Sequence, residues 1–329
     1  MNKIDVLKEQ IEKAKKIVIS THVSPDGDAI GSSLGLYHYL INIGKSVTVI
    51  VPNEFPTFLK WMPKTDEIFV YEGNEEEGKK ITEAADLIFS LDYNEPHRTA
   101  MYSKTLEASN AYKVVIDHHI GEPTWQNLNL SVVGASSTCE LIFDTIVALS
   151  SEEYINQDIA YSLYSGLLTD TGSFQFSATT PKVHIIAASL LSKGVQPDLV
   201  HNHILNSFSE SRLKFFGFCI NKKMKIVAEK KLAYIFLTKK ELNSYSLGVG
   251  GTEGLVNEPM KISDIDISIL FKQDKDKIKI SFRSKKDIDI SKFASAYFEG
   301  GGHKNASGGV SYLTIEETEK KLLLLINKI

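Results

Sequence analysis

The sequence is poor in cysteine, in arginine and in long apolar runs. Its 329 residues include two cysteines, Cys139 and Cys219, which show neither a pairing pattern nor zinc-type spacing. This excludes a disulfide framework and favours a reducing compartment. No apolar stretch approaches the length of a bilayer span, and residues 1–5 carry charges where a signal peptide needs an apolar run. We therefore expect a soluble, cytoplasmic protein with no membrane partner.

Charge is distributed unevenly along the chain. With 43% hydrophobic and 24% charged residues the composition excludes disorder, and the length favours two globular domains. Residues 1–185 hold 14 Lys+Arg against 25 Asp+Glu, whereas residues 186–329 hold 23 against 16. The formal net charge of -4 is thus the sum of -11 and +7. This charge balance argues against a long nucleic-acid duplex as partner and favours a small phosphate-bearing molecule instead.

Hydrophobic periodicity predicts an α/β protein with two lobes. In the first lobe short β-branched runs alternate with amphipathic helical patterns, which is typical of a mainly parallel sheet flanked by helices. The predicted strands are 16–20, 47–51, 86–91 and 112–116, and the predicted helices are 29–43, 137–149 and 159–168. Gly44 is expected as a helix C-cap.

The second lobe is predicted to be a smaller α/β domain. Lysine-rich alternation predicts strands at 225–229, 232–237, 265–271 and 277–282, a tight turn at 275–276 and a closing helix at 315–326. Between the lobes lies a helical pattern broken by Gly194 and Pro197. We predict a catalytic domain at 1–185, a helical connector at 186–218 and a substrate-binding domain at 219–329.

Imidazoles and carboxylates recur where the predicted strands and helices end. An isolated Asp is usually a turn former and a lone His is usually a core residue, but four such coincidences on one rim favour a functional site. Ligands of open α/β sheets bind at the carboxyl ends of the strands, where most of these residues lie. The residues are His22, Asp26 and Asp28 after the first strand, Asp92 after the third, Asp117, His118 and His119 after the fourth, and Asp170 after a helix.

This set of residue types predicts a divalent metal site. Imidazole and carboxylate ligands without thiolates suit Mn²⁺, or Mg²⁺ or Co²⁺, better than Ca²⁺ or structural zinc. More than one carboxylate per ion suggests a pair of metals about 3.5 to 4 Å apart, an arrangement that clamps the attacking and leaving oxygens in phosphoryl hydrolysis. The predicted chemistry is hydrolysis of a phosphate ester by a metal-activated hydroxide.

The order of these motifs resembles the DHH phosphoesterase superfamily. The shared pattern is His-x-x-x-Asp-x-Asp, an isolated Asp, Asp-His-His and a later Asp-Thr-Gly. Four segments of the second half are similar to the DHH-associated C-terminal domain of NrnA-type oligoribonucleases: 250–257, 282–284, 300–303 and 306–308. One departure is Ser307, where the family more often has Ala. The resemblance covers nearly the whole chain.

The resemblance implies a role for each motif residue. It implies two Mn²⁺ ions that share Asp92 as a bridge. Asp117 would orient a ligand imidazole by accepting its remaining N–H, or alternatively cap the turn after its strand. His119 would face the scissile phosphate or the leaving group. The implied ligands are His22, Asp26 and Asp92 for one ion and Asp28, Asp92, His118 and Asp170 for the other; the implied catalytic residues are His119, Asp92 and Arg98.

The few arginines indicate where phosphate is bound. Only Arg98, Arg212 and Arg283 occur among 37 basic residues, and the forked guanidinium suits phosphate best. Arg98 follows Asp92 closely enough to reach the metal rim. The glycine run at 300–302 either lets backbone N–H groups approach an anion or forms a tight turn. The predicted substrate-binding residues are Arg98, His119, Arg283, Gly301, Gly302 and His303.

The resemblance implies a Mn²⁺-dependent phosphoesterase. Its expected substrates are short oligoribonucleotides (nanoRNA), degraded to mononucleotides, and 3'-phosphoadenosine 5'-phosphate, converted to AMP. A phosphodiesterase for linear or cyclic dinucleotides would share every metal ligand and stays an alternative. A pyrophosphatase is disfavoured by the glycine-rich C-terminal motif, and a non-catalytic nucleotide sensor by the intact ligand set. A homodimer is compatible with the sequence.

Overall fold

The structure, a computed structural model, describes residues 2–329. The chain forms two compact units, one ending at Ser207 and the other spanning Phe208–Ile329. Each unit has its own six-stranded sheet and its own hydrophobic core. The predicted α/β architecture with a mainly parallel sheet in the first lobe and a smaller second lobe is confirmed.

The first unit is a parallel sheet flanked by helices. Its six strands pair in parallel in the order β3-β2-β1-β4-β5-β6. They are β1 (Lys16–Ser20), β2 (Ser46–Val51), β3 (Phe69–Val70), β4 (Leu87–Leu91), β5 (Tyr112–Ile116) and β6 (Leu128–Asn129). The helices are α1 (Lys3–Lys13), α2 (Gly27–Asn42), α3 (Glu75–Glu83), α4 (Ser103–Ala108), α5 (Thr138–Leu149), α6 (Gln157–Asp170), α7 (Pro181–Ser192) and α8 (Pro197–Ile204).

The central strands are buried on both faces. Every residue of β4 is buried, as expected for a parallel strand covered by helices on each side. Ile19 and Phe89 belong to the large cluster that includes residues of α2, α5 and α6. Val18 and Ile88 belong to a separate cluster that includes Leu106 of α4. The alternation of side chains along each strand therefore anchors helices on both sides of the sheet.

The strand order reverses between β1 and β4. The chain runs from β1 to β2 on one side, and β4 then returns to the other side of β1. The register pairs Ser20 with Ser90 and Leu91 with Ile116, so β1, β4 and β5 end nearly level. Such a reversal opens a crevice beyond the carboxyl ends of the strands. The residues that follow these three strands therefore meet at one edge of the sheet.

Helices α2 and α6 approach each other closely through glycines. A methyl group at Gly31 would lie 2.5 Å from the carbonyl oxygen of Ser162. At Gly166 it would lie 2.2 Å from Cys139 Sγ and 3.1 Å from the Cα of Asp28. Only a residue without a side chain fits at these contacts. This packing brings the start of α2 next to α6 and to the start of α5.

The second unit is built on a mixed sheet in the order β11-β12-β10-β9-β8-β7. β8 and β9 pair in parallel and the other pairs are antiparallel. The strands are β7 (Met224–Val227), β8 (Leu232–Leu237), β9 (Ile267–Asp274), β10 (Lys277–Ser284), β11 (Gly301–His303) and β12 (Ala306–Ser311). The helices are α9 (Glu210–Phe218), α10 (Lys239–Ser244), α11 (Ile290–Tyr297) and α12 (Ile315–Leu325).

Both faces of this second sheet carry apolar clusters. Ile280 and Phe282 of β10 pack with residues of α11 and α12 on one face. On the other face Leu270 of β9 packs with α9 and with the 3₁₀ segment Leu255–Lys261. The strands β10, β12 and β11 keep partly exposed positions on that second face, among them Lys279, which is exposed.

The predicted elements agree with the structure to within a few residues. The helix predicted at 29–43 begins earlier, at Gly27, because the Asp26 side chain caps it by accepting the N–H groups of Asp28 and Ala29. The residues predicted as a connector divide between the units, since α7 and α8 lie in the first and α9 in the second. The glycines 301 and 302 lie in an edge strand, β11, rather than in a turn. The predicted elements do not include the helices α1, α3, α4, α10 and α11 or the strands β3, β6, β11 and β12.

Among residues 2–329, no helix is both long and apolar enough to cross a membrane. Cys139 and Cys219 are buried free thiols, as the cysteine pattern predicts.

Candidate metal centre

Asp92 lies where three groups of ligand atoms meet. Within each group the nitrogen and oxygen atoms lie within 4.8 Å of one another. Two of the groups bring together, around this shared carboxylate, residues that the sequence implies for the two ions. The groups are His22, Asp26 and Asp92; Asp28, Asp92 and His118; and Asp92, Asp117 and His119.

Asp92 is held in a strained conformation directly after β4. Its φ of 66° lies in the left-handed region, which is costly for a residue with a side chain and is typical of functional sites. The side chain is buried, with Oδ2 3.3 Å from His22 Nε2 and Oδ1 3.4 Å from His118 Nε2. Its two oxygens therefore face two different imidazoles.

Both of these imidazoles are oriented by backbone carbonyls. His22 Nδ1 lies 2.9 Å from the oxygen of Val23, and His118 Nδ1 lies 3.2 Å from the oxygen of Ala135. An Nδ1–H that donates to a carbonyl leaves Nε2 for a metal, which is the usual arrangement of a ligand imidazole. His118 Nε2 also lies 3.3 Å from Asp170 Oδ2, which brings the end of α6 to the site.

The start of α5 binds two of the carboxylates and contributes a residue absent from the sequence-based set, Thr138. Its backbone N–H donates to Asp28 Oδ2 at 2.6 Å, and its hydroxyl donates to Asp92 Oδ1 at 2.9 Å. The N–H of Cys139 donates to Asp28 Oδ1 at 2.8 Å. The N–H groups of a helix start lack intrahelical partners and attract anions. In the sequence, the segment 137–140 signals only the beginning of a helix.

Asp26 and Asp170 are the more accessible members of the site. Asp26 caps α2 through Oδ1, at 3.1 Å from the nitrogens of Asp28 and Ala29, and its side chain is 44% exposed. Asp170 is the last residue of α6, and its side chain is 24% exposed. In contrast, Asp28 and Asp92 are buried. The site therefore has a buried floor and two carboxylates that solvent reaches.

Asp117 is paired with His119 rather than with one of the predicted ligand imidazoles. His119 Nδ1 donates to Asp117 Oδ1 at 2.7 Å, whereas Asp117 Oδ2 is buried and has no hydrogen-bond partner within residues 2–329. The rings of His118 and His119 meet edge to face with centroids 4.7 Å apart. Asp117 thus fixes the ring of His119, with Nε2 turned away from that carboxylate.

The buried carboxylates compete for positive charge. Burial and the neighbouring charge of Asp92 raise the pKa of Asp28 to about 7. Burial and the charge of Asp28 raise the pKa of Asp170 well above its ordinary value. Burial also disfavours ionised Asp92, but hydrogen bonds from His118 and His22 outweigh it and hold the pKa of Asp92 well below its ordinary range. Asp92 therefore stays ionised, whereas Asp28 and Asp170 are protonated more readily than ordinary carboxylates.

The imidazoles are correspondingly basic. Burial alone would lower the pKa of His22, but the hydrogen bond to Asp92 and the charges of Asp26 and Asp92 raise it to about 9. Burial is likewise outweighed at His118, where the hydrogen bond to Asp92 and the charges of Asp170, Asp92 and Asp28 raise the pKa to about 11. Without a bound cation, protons on these two rings compensate part of the negative charge of the carboxylates.

The donor set fits hard or intermediate divalent cations. Oxygen and imidazole donors converge from four carboxylates and two oriented rings, a combination that suits Mn²⁺ or a similar divalent ion. The nearby thiol of Cys139 donates to the backbone oxygen of Asp28 at 3.7 Å. Burial raises the pKa of this thiol well above its ordinary value, so it stays protonated and is unsuited to ligation.

The remaining predicted site residues lie in two places. Arg98 is exposed in the 3₁₀ segment Pro96–Tyr102, and its backbone oxygen accepts the N–H of Val23 at 2.7 Å, which places it beside the His22 segment. Arg283, on β10, pairs across the second sheet with Ala306, which pairs in turn with His303. Arg283 and His303 therefore lie in one row on one face of that sheet. Gly301 and Gly302 are exposed in the same edge strand as His303.

Two family models match the chain. Residues 16–167 match the model described as "DHH family, N-terminal domain", and residues 231–329 match the DHHA1 domain.

Relatives match over nearly the full length. The chain is 29% identical over 324 residues to the bifunctional oligoribonuclease and PAP phosphatase NrnA of Thermus thermophilus, covering 93% of this chain and 88% of the relative. It is 30% identical over 310 residues to the protein of the same name from Mycoplasma genitalium, covering 91% and 90%. The crystal structure of an exopolyphosphatase-related protein from Bacteroides fragilis is 40% identical, covers 99% of this chain and 96% of its own, and superposes with a TM-score of 0.93.

Proposed function

Because the chain belongs to the DHH family and carries a DHHA1 domain, we propose that it is a Mn²⁺-dependent phosphoesterase acting on the ends of short oligoribonucleotides. It releases mononucleotides from these substrates and converts 3'-phosphoadenosine 5'-phosphate to AMP. The two NrnA relatives, whose alignments cover about nine-tenths of the chain, are named for these two activities.

The observation that carries the proposal is the position of Asp92 between two sets of ligands. Its oxygens face His22 on one side and His118 on the other. Two cations that share this carboxylate would be held by His22, Asp26 and Asp92, and by Asp28, Asp92, His118 and Asp170. When bound, such a pair neutralises the charge of a phosphate group and activates a water nucleophile.

The protein's own residues orient these groups and manage the substrate's charge. Thr138 holds Asp92, and the N–H groups at the start of α5 hold Asp28. Asp117 fixes the ring of His119, which leaves Nε2 to face the scissile phosphate or the departing oxygen. Arg98, beside the His22 segment, supplies a positive charge to a second phosphate oxygen.

The second unit supplies substrate contacts. Arg283 presents a guanidinium to phosphate, and His303 in the same row donates to a phosphate or a base edge. Gly301 and Gly302 leave the backbone of the edge strand open to close approach. The net charge of +7 on residues 186–329 favours an anionic ligand there.

A four-substrate comparison tests the proposal. Turnover of a pentaribonucleotide, 3'-phosphoadenosine 5'-phosphate, a linear diadenylate and a cyclic dinucleotide is measured with Mn²⁺, with Asp92→Asn as the blank. We expect mononucleotides from the pentamer and AMP from the bisphosphate. Turnover confined to the linear diadenylate or the cyclic dinucleotide would favour the dinucleotide phosphodiesterase, and binding without turnover of any of the four would indicate a sensor.

A further inference from the structure

A cationic pocket lies at one end of the second sheet, away from the row that holds Arg283. It is a cavity of about 660 Å³ whose lining joins the loop before the segment Leu255–Lys261 to strands β9 and β10. The lining includes Leu247, Gly248, Gly250, Thr252, Lys272 and Lys279. The glycine-rich motif at 250–254 therefore has a place in the structure that the metal centre does not account for.

The two lysines of this pocket lie side by side on one face of the sheet. Lys272 of β9 and Lys279 of β10 are directly paired, and like charges in that position are destabilising unless an anion offsets them. The ammonium group of Lys272 is partly buried and donates to the neutral hydroxyl of Thr252 at 2.8 Å. Within residues 2–329 Lys272 makes no ion pair. Among the described residues, only this neutral hydroxyl accepts a hydrogen bond from the Lys272 ammonium group, which suits the group to an incoming anion.

Lys279 has a carboxylate partner, but an exchangeable one. Its Nζ lies 2.9 Å from Asp274 Oδ2, and its side chain is 53% exposed. An exposed ion pair of this kind contributes little, so a phosphate that contacts both lysines can displace it. Burial and the charge of Lys279 lower the pKa of Lys272, and the charges of Glu253 and Asp274 offset this only in part.

A strip along one face of β10 connects the pocket to Arg283. Lys279, Ser281 and Arg283 alternate along β10 with residues of the apolar core, so they share one face at a spacing of about 14 Å between the first and the last. Gly308 pairs with Ser281 in the middle of this strip. A methyl group there would meet only the backbone oxygen of Ile280, at 3.8 Å. Packing does not require glycine at 308, and its absence of a side chain leaves room above the sheet.

We propose that Lys272 and Lys279 form a phosphate subsite for the chain of an oligonucleotide whose end is held at Arg283. This inference rests on the proposed function. The span along β10 corresponds to about two nucleotide units of an extended strand, so a pentanucleotide reaches the pocket and a bisphosphorylated mononucleotide does not. The subsite therefore distinguishes oligonucleotides from 3'-phosphoadenosine 5'-phosphate, which the metal centre and Arg283 treat alike.

The test compares Lys279→Gln, Lys272→Gln and the charge-retaining Lys272→Arg with the wild type. The matched control is Lys292→Gln, on α11, which packs against the opposite face of the sheet. KM is measured with Mn²⁺ for a pentaribonucleotide and for 3'-phosphoadenosine 5'-phosphate. In parallel, the Kd of a fluorescein-labelled pentaadenylate is measured by anisotropy with a chelator present, over a series of salt concentrations.

Loss of one charged contact should raise KM and Kd for the pentamer about tenfold in each Gln variant. It should also reduce the slope of log Kd against log salt by about 0.7. The KM for the bisphosphate should stay unchanged in the Gln variants. Lys272→Arg should retain the affinity for the pentamer. Equal effects on both substrates, or none on the pentamer, would overturn the subsite. A wild type that turns over neither substrate would contradict the proposed function. The binding measurement with chelator would still test the phosphate subsite in that case. Pentaadenylate binding that is insensitive to both lysine substitutions would refute the subsite.

Discussion

The hydroxyl of Thr138 donates a hydrogen bond of 2.9 Å to Oδ1 of Asp92. These residues are 46 positions apart in the sequence, and the contact exists because α5 begins at the edge where β4 ends. The backbone N–H of the same threonine donates to Asp28. One residue therefore fixes two of the carboxylates proposed to hold the metals.

Replacing Thr138 by Val should lower metal affinity or turnover by about 10- to 100-fold, because the side chain keeps its shape but Asp92 loses a donor. Thr138→Ser should retain most of the activity. Thr145→Val is the matched control, since Thr145 lies on the same helix and its hydroxyl donates to the backbone oxygen of Leu141. Manganese titrations of turnover make the comparison. Equal activity of Thr138→Val and wild type would show that this contact does not support the centre.

Gly166→Ala should destabilise the first unit by about 1 to 3 kcal/mol through overpacking, because the added methyl would meet Cys139 Sγ at 2.2 Å. Urea unfolding followed by tryptophan fluorescence measures this, since Trp61 and Trp125 both lie in the first unit. Gly217→Ala is the control: an added methyl meets nothing within 4 Å, and the residue lies in the second unit. An unchanged midpoint for Gly166→Ala would mean that the helices can separate without cost.

Metal binding should release protons and strengthen as the pH rises. The pKa of His22 is raised to about 9 and that of His118 to about 11, so at pH 7 both rings are protonated before metal binds. A ligand imidazole must be neutral, hence the ion displaces these protons and its affinity rises about tenfold per pH unit for each proton released. Calorimetric titrations with Mn²⁺ in two buffers of different ionisation enthalpy measure the release. An affinity that is flat between pH 6 and 8 would contradict this linkage.

Arg283→Ala should raise KM for both proposed substrates by about tenfold or more while leaving the bound metal unchanged, because a charge-assisted contact to phosphate is lost. Arg283→Lys should recover only part of the affinity, since an ammonium group lacks the planar fork. Steady-state kinetics and elemental analysis on the same preparations give the two readouts. Loss of metal in Arg283→Ala would assign this arginine to the centre itself.

The sequence predicts the positions of most site residues because these depend on local features. Strands with β-branched residues end just before His22, Asp92 and Asp117, and parallel strands place their carboxyl ends at one edge. The orientation of each side chain is not local. The two oxygens of Asp92 face different imidazoles because its backbone is left-handed, and no neighbouring residue type predicts that conformation.

Contacts across the fold account for what the sequence does not reveal. The role of Thr138 depends on a hydrogen bond between distant elements, and its local signal is that of an ordinary helix start. Asp117 binds the ring of His119, a choice set by side-chain direction rather than by spacing. In the second unit the pairing of Lys272 with Lys279 depends on strand register, which alternation alone leaves undetermined.

The central claim is that Asp92 joins two metal subsites. Its most direct test is the number of Mn²⁺ ions bound per chain, measured by elemental analysis after equilibration with Mn²⁺, for the wild type and Asp92→Asn, with turnover of the pentaribonucleotide followed on the same samples. We predict two ions per wild-type chain, at most one in Asp92→Asn, and loss of turnover in the variant. Two ions in Asp92→Asn together with near wild-type turnover would contradict the account.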